Sequence, residues 1–119
     1  MKQELGKTII TGCRHFSSYK IVEKTCDPYN ITEDVSGGAR GADKLGERYA
    51  RIHGIPIKKF SADWNKHGIS AGRKRNVPMI EYADSLIAFW DNKSKNTEHI
   101  ITIARTQGLT VIVIDVLDK

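Results

Sequence analysis

The 119-residue chain predicts an α/β fold, a single Rossmann-like three-layer sandwich built on a five-stranded, mainly parallel sheet. Three observations predict it. β-branched runs alternate with helix-periodic segments from end to end. The length and the 39% hydrophobic content suit one core, so residues 1–119 form one domain. The stretches with unusual chemistry also follow the first, second and fourth strand-like runs, as they do when ligand loops gather at one sheet edge.

Taken in order, Lys7-Thr8-Ile9-Ile10-Thr11 is a β-branched first strand stopped by Gly12. Residues 17–26 read as a helix ended by Asp27-Pro28. Asp34-Val35-Ser36 reads as a brief second strand. A second helix is expected over residues 41–53, with Leu45, Tyr49 and Ile52 on its buried face, Glu47, Arg48 and Arg51 pointing away, and Gly54 as its C-terminal stop. Ile55-Pro56-Ile57-Lys58-Lys59-Phe60 is a third strand whose proline suits an edge.

Residues 61–75 lack periodicity and read as a long loop. Pro78 then opens a short helix to residue 83. Asp84-Ser85-Leu86-Ile87-Ala88-Phe89-Trp90 is the fourth strand, and residues 91–96 are a polar loop. Thr97 caps a last helix that buries Ile100, Ile101 and Ala104 and stops at Gly108. Thr110-Val111-Ile112-Val113-Ile114, nearly all β-branched, reads as a fifth strand buried on both faces. Right-handed crossovers suggest the strand order 3-2-1-4-5, with the switch point between strands one and four.

Composition narrows the partners. Nineteen basic against fourteen acidic residues give a net charge of +5, which favours a nucleotide, a nucleic acid or an acidic lipid without choosing among them. No apolar run approaches a membrane span and the first residues lack a signal-peptide profile, so a cytoplasmic protein with no membrane partner is expected. Cys13 and Cys26 lack metal-ligand spacing and read as reduced thiols; no metal and no resident cofactor are expected.

The stretch Val35-Ser36-Gly37-Gly38-Ala39-Arg40-Gly41-Ala42-Asp43 is the main functional signal. Glycines at a strand-to-helix junction let backbone N–H groups approach an anion, and the helix N-terminus adds a favourable dipole. Ser36 stands where a dinucleotide fingerprint needs glycine, and no P-loop lysine-hydroxyl pair is present. Arg40 inside the turn and Arg14 after Gly12-Cys13 read as phosphate contacts, with a ligand-free turn and a surface arginine as the alternatives. Asp43 either complements the helix dipole or accepts a bond from a ribose hydroxyl. Trp64 is a core residue or a platform for a base. In Ala71-Gly72-Arg73-Lys74-Arg75-Asn76 a solvated basic loop competes with a ligand contact, more so for Arg73 and Lys74 than for Arg75-Asn76. His99 faces solvent or donates to a phosphate or ribose oxygen.

Strand-Gly12-x-Arg14, Ser36-Gly37-Gly38-Ala39-Arg40-Gly41-Ala42-Asp43, Asp63-Trp64-x-x-x-Gly68, Ala71-Gly72-x-x-Arg75-Asn76, and Ala88-Phe89-Trp90-Asp91 with Thr97-x-His99 together resemble the YspA/YpsA-related branch of the SLOG superfamily. That Rossmann-like group takes its name from the Smf/DprA and Lonely-guy proteins. The resemblance is collinear over essentially the whole chain. It implies glycine-rich loops that bind nucleotides or nucleotide-derived molecules, ADP-ribose-like signals included, and a homo-oligomer. It assigns phosphate contacts to Gly12, Arg14, Gly37, Gly38, Arg40, Gly41 and the loop ending at Thr97; in the physical picture of such a site, Asp43 or Asp91 serves the ribose hydroxyls. Arg75 takes the place of the arginine that Lonely-guy enzymes use on nucleoside monophosphates.

Two departures stand out. The Lonely-guy loop Gly-Gly-x-Gly-Thr-x-x-Glu corresponds to Ser94-Lys95-Asn96-Thr97-Glu98-His99-Ile100, so an apolar residue stands at the catalytic carboxylate and Glu98 is a displaced candidate. Asn96 replaces the glycine before threonine, where a left-handed backbone is expected. The reading is thus a domain that senses, carries or sequesters a phosphorylated ribonucleotide derivative, an ADP-ribose-like or cyclic-nucleotide signal. The alternatives are a phosphoribohydrolase acting on a nucleoside monophosphate, with Arg75 and Glu98 as catalytic candidates, and single-stranded nucleic-acid binding.

Overall fold

A computed structural model of the chain describes residues 2–116, leaving the side chains of Trp64 and Ile69 outside the description. Strands and helices alternate as β1 (Gln3–Gly12), α1 (Tyr19–Cys26), β2 (Tyr29–Ser36), α2 (Ala42–Ile52) and β3 (Ile57–Lys59). They continue as α3 (Trp64–His67), a 3-10 turn (Gly68–Ser70), α4 (Ala71–Tyr82), β4 (Ser85–Trp90), α5 (Lys95–Thr106) and β5 (Thr110–Asp115). All strand pairings are parallel and the sheet order is β3-β2-β1-β4-β5, as the alternation predicts. The switch point therefore lies between β1 and β4, at Gly12 beside Phe89.

Alternation along the central strands divides the core between the two sheet faces. Ile10, Ile87 and Phe89 pack with Val22, Cys26 and Tyr49 from α1 and α2. Ile9, Leu86 and Ala88 pack with Met79, Ile80, Ile100 and Ile101 from α4 and α5. Each fully buried large apolar side chain contributes about 1.5–3 kcal/mol. The central strands thus hold the sheet's carboxyl edge rigidly, and the loops at that edge inherit a fixed frame. No helix among the described residues is long and apolar enough to cross a membrane.

Several expectations are corrected. The second strand is eight residues long, because Tyr29, Asn30, Ile31 and Glu33 also pair with β1 at the amino end. Residues 61–75 are mostly helical, and α4 starts at Ala71 with Pro78 inside it. The helix tolerates Pro78 because the carbonyl it leaves unbonded belongs to Lys74, an exposed residue. Ser94, not Thr97, is the N-cap of α5; Thr97 lies buried within its first turn. Asn96 is helical, and Asn92 (φ 64°) is the one described non-glycine residue with positive φ. On α2 the predicted faces are partly exchanged: Glu47 is 1% exposed and Ile52 is 57% exposed. β5 is an edge strand with half-buried residues and exposed ends, not a doubly buried one.

Candidate functional site

The loop between β2 and α2 is shaped by two interior carboxylates. Ser36 donates its hydroxyl to Glu47 Oε2 (2.6 Å) and accepts the Gly38 N–H (3.1 Å), so one serine fixes the first turn. Asp43 accepts the Thr11 hydroxyl (2.6 Å) and the Ala39 N–H (3.2 Å), which ties the second half of the loop to β1. Burial pushes the Asp43 carboxyl above its ordinary range, against the opposing pull of the Thr11 hydroxyl and the Arg75 guanidinium. Glu47 Oε1 faces the ammonium groups of Lys44 and Lys59 (3.7 Å each) and the Arg51 guanidinium (3.8 Å). An interior carboxylate therefore orients Lys44 and Lys59 at the loop's rim.

The glycines of this region have separate tasks. A Cβ on Gly12 would stand 2.1 Å from the Phe89 carbonyl oxygen, and one on Gly41 (φ 80°) would stand 2.4 Å from that of Cys13. A Cβ on Gly37 would stand 2.3 Å from Arg75 Nη1. These three admit close packing of neighbouring loops. Gly38 (φ 73°) has nothing within 4 Å of such a Cβ and borders open space.

Helix α4 joins this loop to the one after β4. Arg75 Nη1 donates to the Gly37 carbonyl (2.7 Å), and its Nε donates to Asn76 Oδ1 (3.3 Å). Asn76 Nδ2 donates to Asn96 Oδ1 (3.1 Å) and stands 3.2 Å from His99 Nδ1. Gly72 lets the helix approach Asn96, which would lie 2.9 Å from an added Cβ. The buried face of α4 is thus Ala71, Gly72, Arg75 and Asn76 before it becomes Met79 and Ile80. Burial lowers the Arg75 pKa; Asp43 counters this, while the Arg14 charge lowers it further, so two guanidinium groups act on one another across the site. His99 is likewise held below its ordinary value, by burial first and then by Arg73.

Asp91 organises the loop after β4. Its Oδ1 accepts the N–H groups of Lys93 (2.9 Å) and Ser94 (2.8 Å), and its Oδ2 accepts the Ser94 hydroxyl (3.0 Å). Burial raises its pKa, but these bonds and the His15 ring, 3.5 Å away, more than reverse that and leave it lowered. Cys13 is buried in the facing loop, and burial, then Asp91, push its thiol upward. Both cysteines are free and buried.

Two adjoining recesses open between these loops. The larger, about 450 Å³, is bordered by Arg14, Arg40, Lys44, Lys59 and Arg75 together with Gly37 and Gly38, and no carboxylate lines it. The smaller, about 340 Å³, is polar, with Thr11, Asp43, Asn96 and Thr97 in its wall and Gly12, Cys13 and His15 at the end of β1. Arg14, Ala39 and Arg75 border both. The structure thus brings together Gly12, Arg14, Gly37, Gly38, Arg40, Asp43, Arg75 and Thr97. It leaves other predicted residues one layer back: Gly41 and Ala42 pack behind the loops, Asp91 holds the β4–α5 turn, Asn76 braces Asn96, and His99 stands against Asn76. Glu98 points to solvent, 53% exposed and 3.8 Å from Lys95. The expectation for the Trp64 side chain lies outside the described residues. Sequence reasoning missed Lys44, Lys59, Ser36 and Glu47; Glu47 one helical turn after Asp43 on a glycine-led helix was the available signal.

Comparison with known proteins agrees with this geometry. A family model described as "YspA, cpYpsA-related SLOG family" matches residues 7–67, which run from within β1 through the β2–α2 loop and β3. The chain is also 35% identical over 120 residues to the Gene 61 protein of Mycobacterium phage D29, a match that covers 91% of this chain and 95% of that protein. That second match extends the likeness past α4 and the β4–α5 loop. With the parallel sheet in the order 3-2-1-4-5 and both matches in agreement, the chain belongs to the YspA, cpYpsA-related SLOG family.

Proposed function

We propose that the chain binds a phosphorylated ribonucleotide derivative, with an ADP-ribose-like or cyclic-nucleotide signal as the leading ligand, and that it senses, carries or sequesters that ligand. One observation carries the reading: five cationic side chains and no carboxylate line the larger recess at the sheet's switch edge. A cluster of one sign in a cleft focuses potential on an anion, and arginine grips two phosphate oxygens at once. The mutual effect of Arg14 and Arg75 has the same sense, since an anion between them relieves their repulsion. A volume of about 450 Å³ suits a small-molecule ligand.

The two-lobed outline favours a particular ligand shape. Arg14 and Arg75 border both lobes, so phosphates at the waist leave one lobe for each end of a molecule with two sugar-bearing halves. Threonine and asparagine in the smaller lobe offer partners for hydroxyl groups. Binding is favoured over N-glycosidic cleavage because Glu98 stands outside both lobes, and Ile100, at the Lonely-guy carboxylate position, is a core residue.

The test is calorimetric titration of the purified chain with ADP-ribose, cyclic nucleotides and AMP, with mass spectrometry of any small molecule released on denaturation. ADP-ribose is expected to bind, and Arg40→Ala, at an exposed position, to weaken it about tenfold or more through loss of a charge-assisted contact. A folded protein without affinity for any of these ligands overturns the proposal. Steady release of free base from AMP transfers the case to the phosphoribohydrolase. Affinity for single-stranded DNA that falls steeply with salt and survives Arg40→Ala transfers it to nucleic-acid binding.

A further inference from the structure

Cys13, His15 and Asp91 each present a ligand atom within 4.8 Å of the other two, at the junction of the β1 and β4 loops. We propose that these three residues bind a divalent transition metal of the zinc class. The inference stands apart from the nucleotide reading, since none of its geometry depends on what the basic recess holds.

The donor set selects the metal. A thiolate, an imidazole and a carboxylate together suit zinc and its neighbours, whereas magnesium and calcium take oxygen donors. The two anionic donors would also neutralise a divalent charge within an otherwise cationic edge. Two of the three donors are already fixed in place. The backbone of Cys13 is pinned on both sides, its N–H donating to the Phe89 carbonyl (3.0 Å) and its carbonyl accepting the Phe16 N–H (3.3 Å). Asp91 is oriented by the N–H groups of Lys93 and Ser94 and by the Ser94 hydroxyl, the kind of outer support that metal-bound carboxylates receive.

The third donor is adjustable. Ligand atoms on a tetrahedral zinc stand about 3.3–3.8 Å apart, so closing the cluster asks for a shift of about 1 Å. His15 can supply it, because its side chain is 56% exposed and its Nε2 already lies 3.5 Å from Asp91 Oδ2. Cys13 and His15 border the smaller recess, which leaves the remaining metal position directed toward that recess. Three protein donors with one side facing a cavity is the arrangement of a metal that takes water or a substrate oxygen. Cysteine-to-cysteine spacing does not reveal this set, because its members are a Cys-x-His pair and an aspartate from a loop far away in sequence.

The test is titration of the metal-free full chain with Co²⁺, followed by thiolate-to-metal charge-transfer absorption and by displacement with Zn²⁺. One equivalent is expected to bind with a charge-transfer band. Cys13→Ser abolishes the band, Cys26→Ser leaves it, and His15→Ala weakens affinity about tenfold or more with the circular dichroism spectrum unchanged. Absence of binding, a band that follows Cys26, or unchanged affinity in His15→Ala overturns the proposal. His15 is exposed, so that variant decides the matter even if Cys13→Ser fails to fold.

Discussion

The loops after β2 and β4 meet at one recess but are held by opposite strategies. The β4–α5 loop is held mainly by its own residues: the hydrogen bonds to Asp91 come from Lys93 and Ser94, two and three positions on, and Asn92 supplies its one left-handed residue, while His15, Asp115 and Asn76 add contacts at its margins. The β2–α2 loop is held from outside itself, by Glu47 from α2, Thr11 from β1 through Asp43, and Arg75 from α4. A loop of the first kind depends mostly on its own residues for its shape. One of the second kind keeps its shape only when the whole sheet edge is assembled, so its geometry reports on the fold.

The comparison breaks most sharply at the glycines. Gly41→Ala puts a Cβ 2.4 Å from the Cys13 carbonyl at a φ of 80°, and neither neighbour is a flexible side-chain tip that can yield. The expected cost is about 3–5 kcal/mol, from left-handed strain plus a backbone collision. Gly38→Ala, with the same sign of φ but open space, is expected to cost only about 1 kcal/mol. Urea midpoints of the two variants measure the difference. Equal losses would mean that the loop is not wedged against the β1 loop as described.

A more gradual effect, spread over several pH units, is expected from pH, again confined to the first loop's support. Asp34 lies beneath that loop with neither carboxyl oxygen hydrogen-bonded among the described residues. Burial, then the carboxylates of Glu47 and Asp43, push its pKa from 3.8 up to about 8, with Arg51 pulling the other way. A raised folded-state value means the stabilising contribution is complete below the unfolded value and is lost as pH rises through the folded one. Stability should therefore fall by about 1 kcal/mol per pH unit between roughly pH 4 and 8. His99, lowered in the fold, contributes in the opposite sense near its ordinary value and does so equally with and without Asp34. Asp34→Asn should flatten the profile, and an undiminished slope in that variant would assign it to another group.

The difference between the loops also accounts for what the sequence discloses. The sheet order was legible because β-branched runs and helix caps are local signals, and so was the gathering of the loops after strands one, two and four at one sheet edge. Residues 61–75 were not, because the face that α4 buries begins with Ala71, Gly72, Arg75 and Asn76, which carry no apolar periodicity. Glu47 misled for the same reason: a helix that buries a carboxylate against Ser36 looks amphipathic in the wrong direction. In the site itself, Arg14, Arg40 and the glycines stood out as residue types, whereas Lys44 and Lys59 join the recess only through folding.

The last and smallest contrast is dynamic. Glu47→Gln keeps an acceptor for Ser36 but removes the charge that faces Lys44, Arg51 and Lys59, each more than half exposed, so solvent already screens those pairs. Asp91→Ala removes a local turn anchor, and both variants should cost about 1–2 kcal/mol. Stability alone cannot separate them, but residue-resolved amide exchange can. Glu47→Gln loosens Ser36 and should speed exchange at Gly38, whose N–H rests on the Ser36 hydroxyl. Asp91→Ala should speed exchange at Lys93 and Ser94 and leave Gly38 as it was. If Asp91→Ala instead reaches Gly38, the two loops form one cooperative unit through Arg75 and Asn76, and the division between local and borrowed support fails.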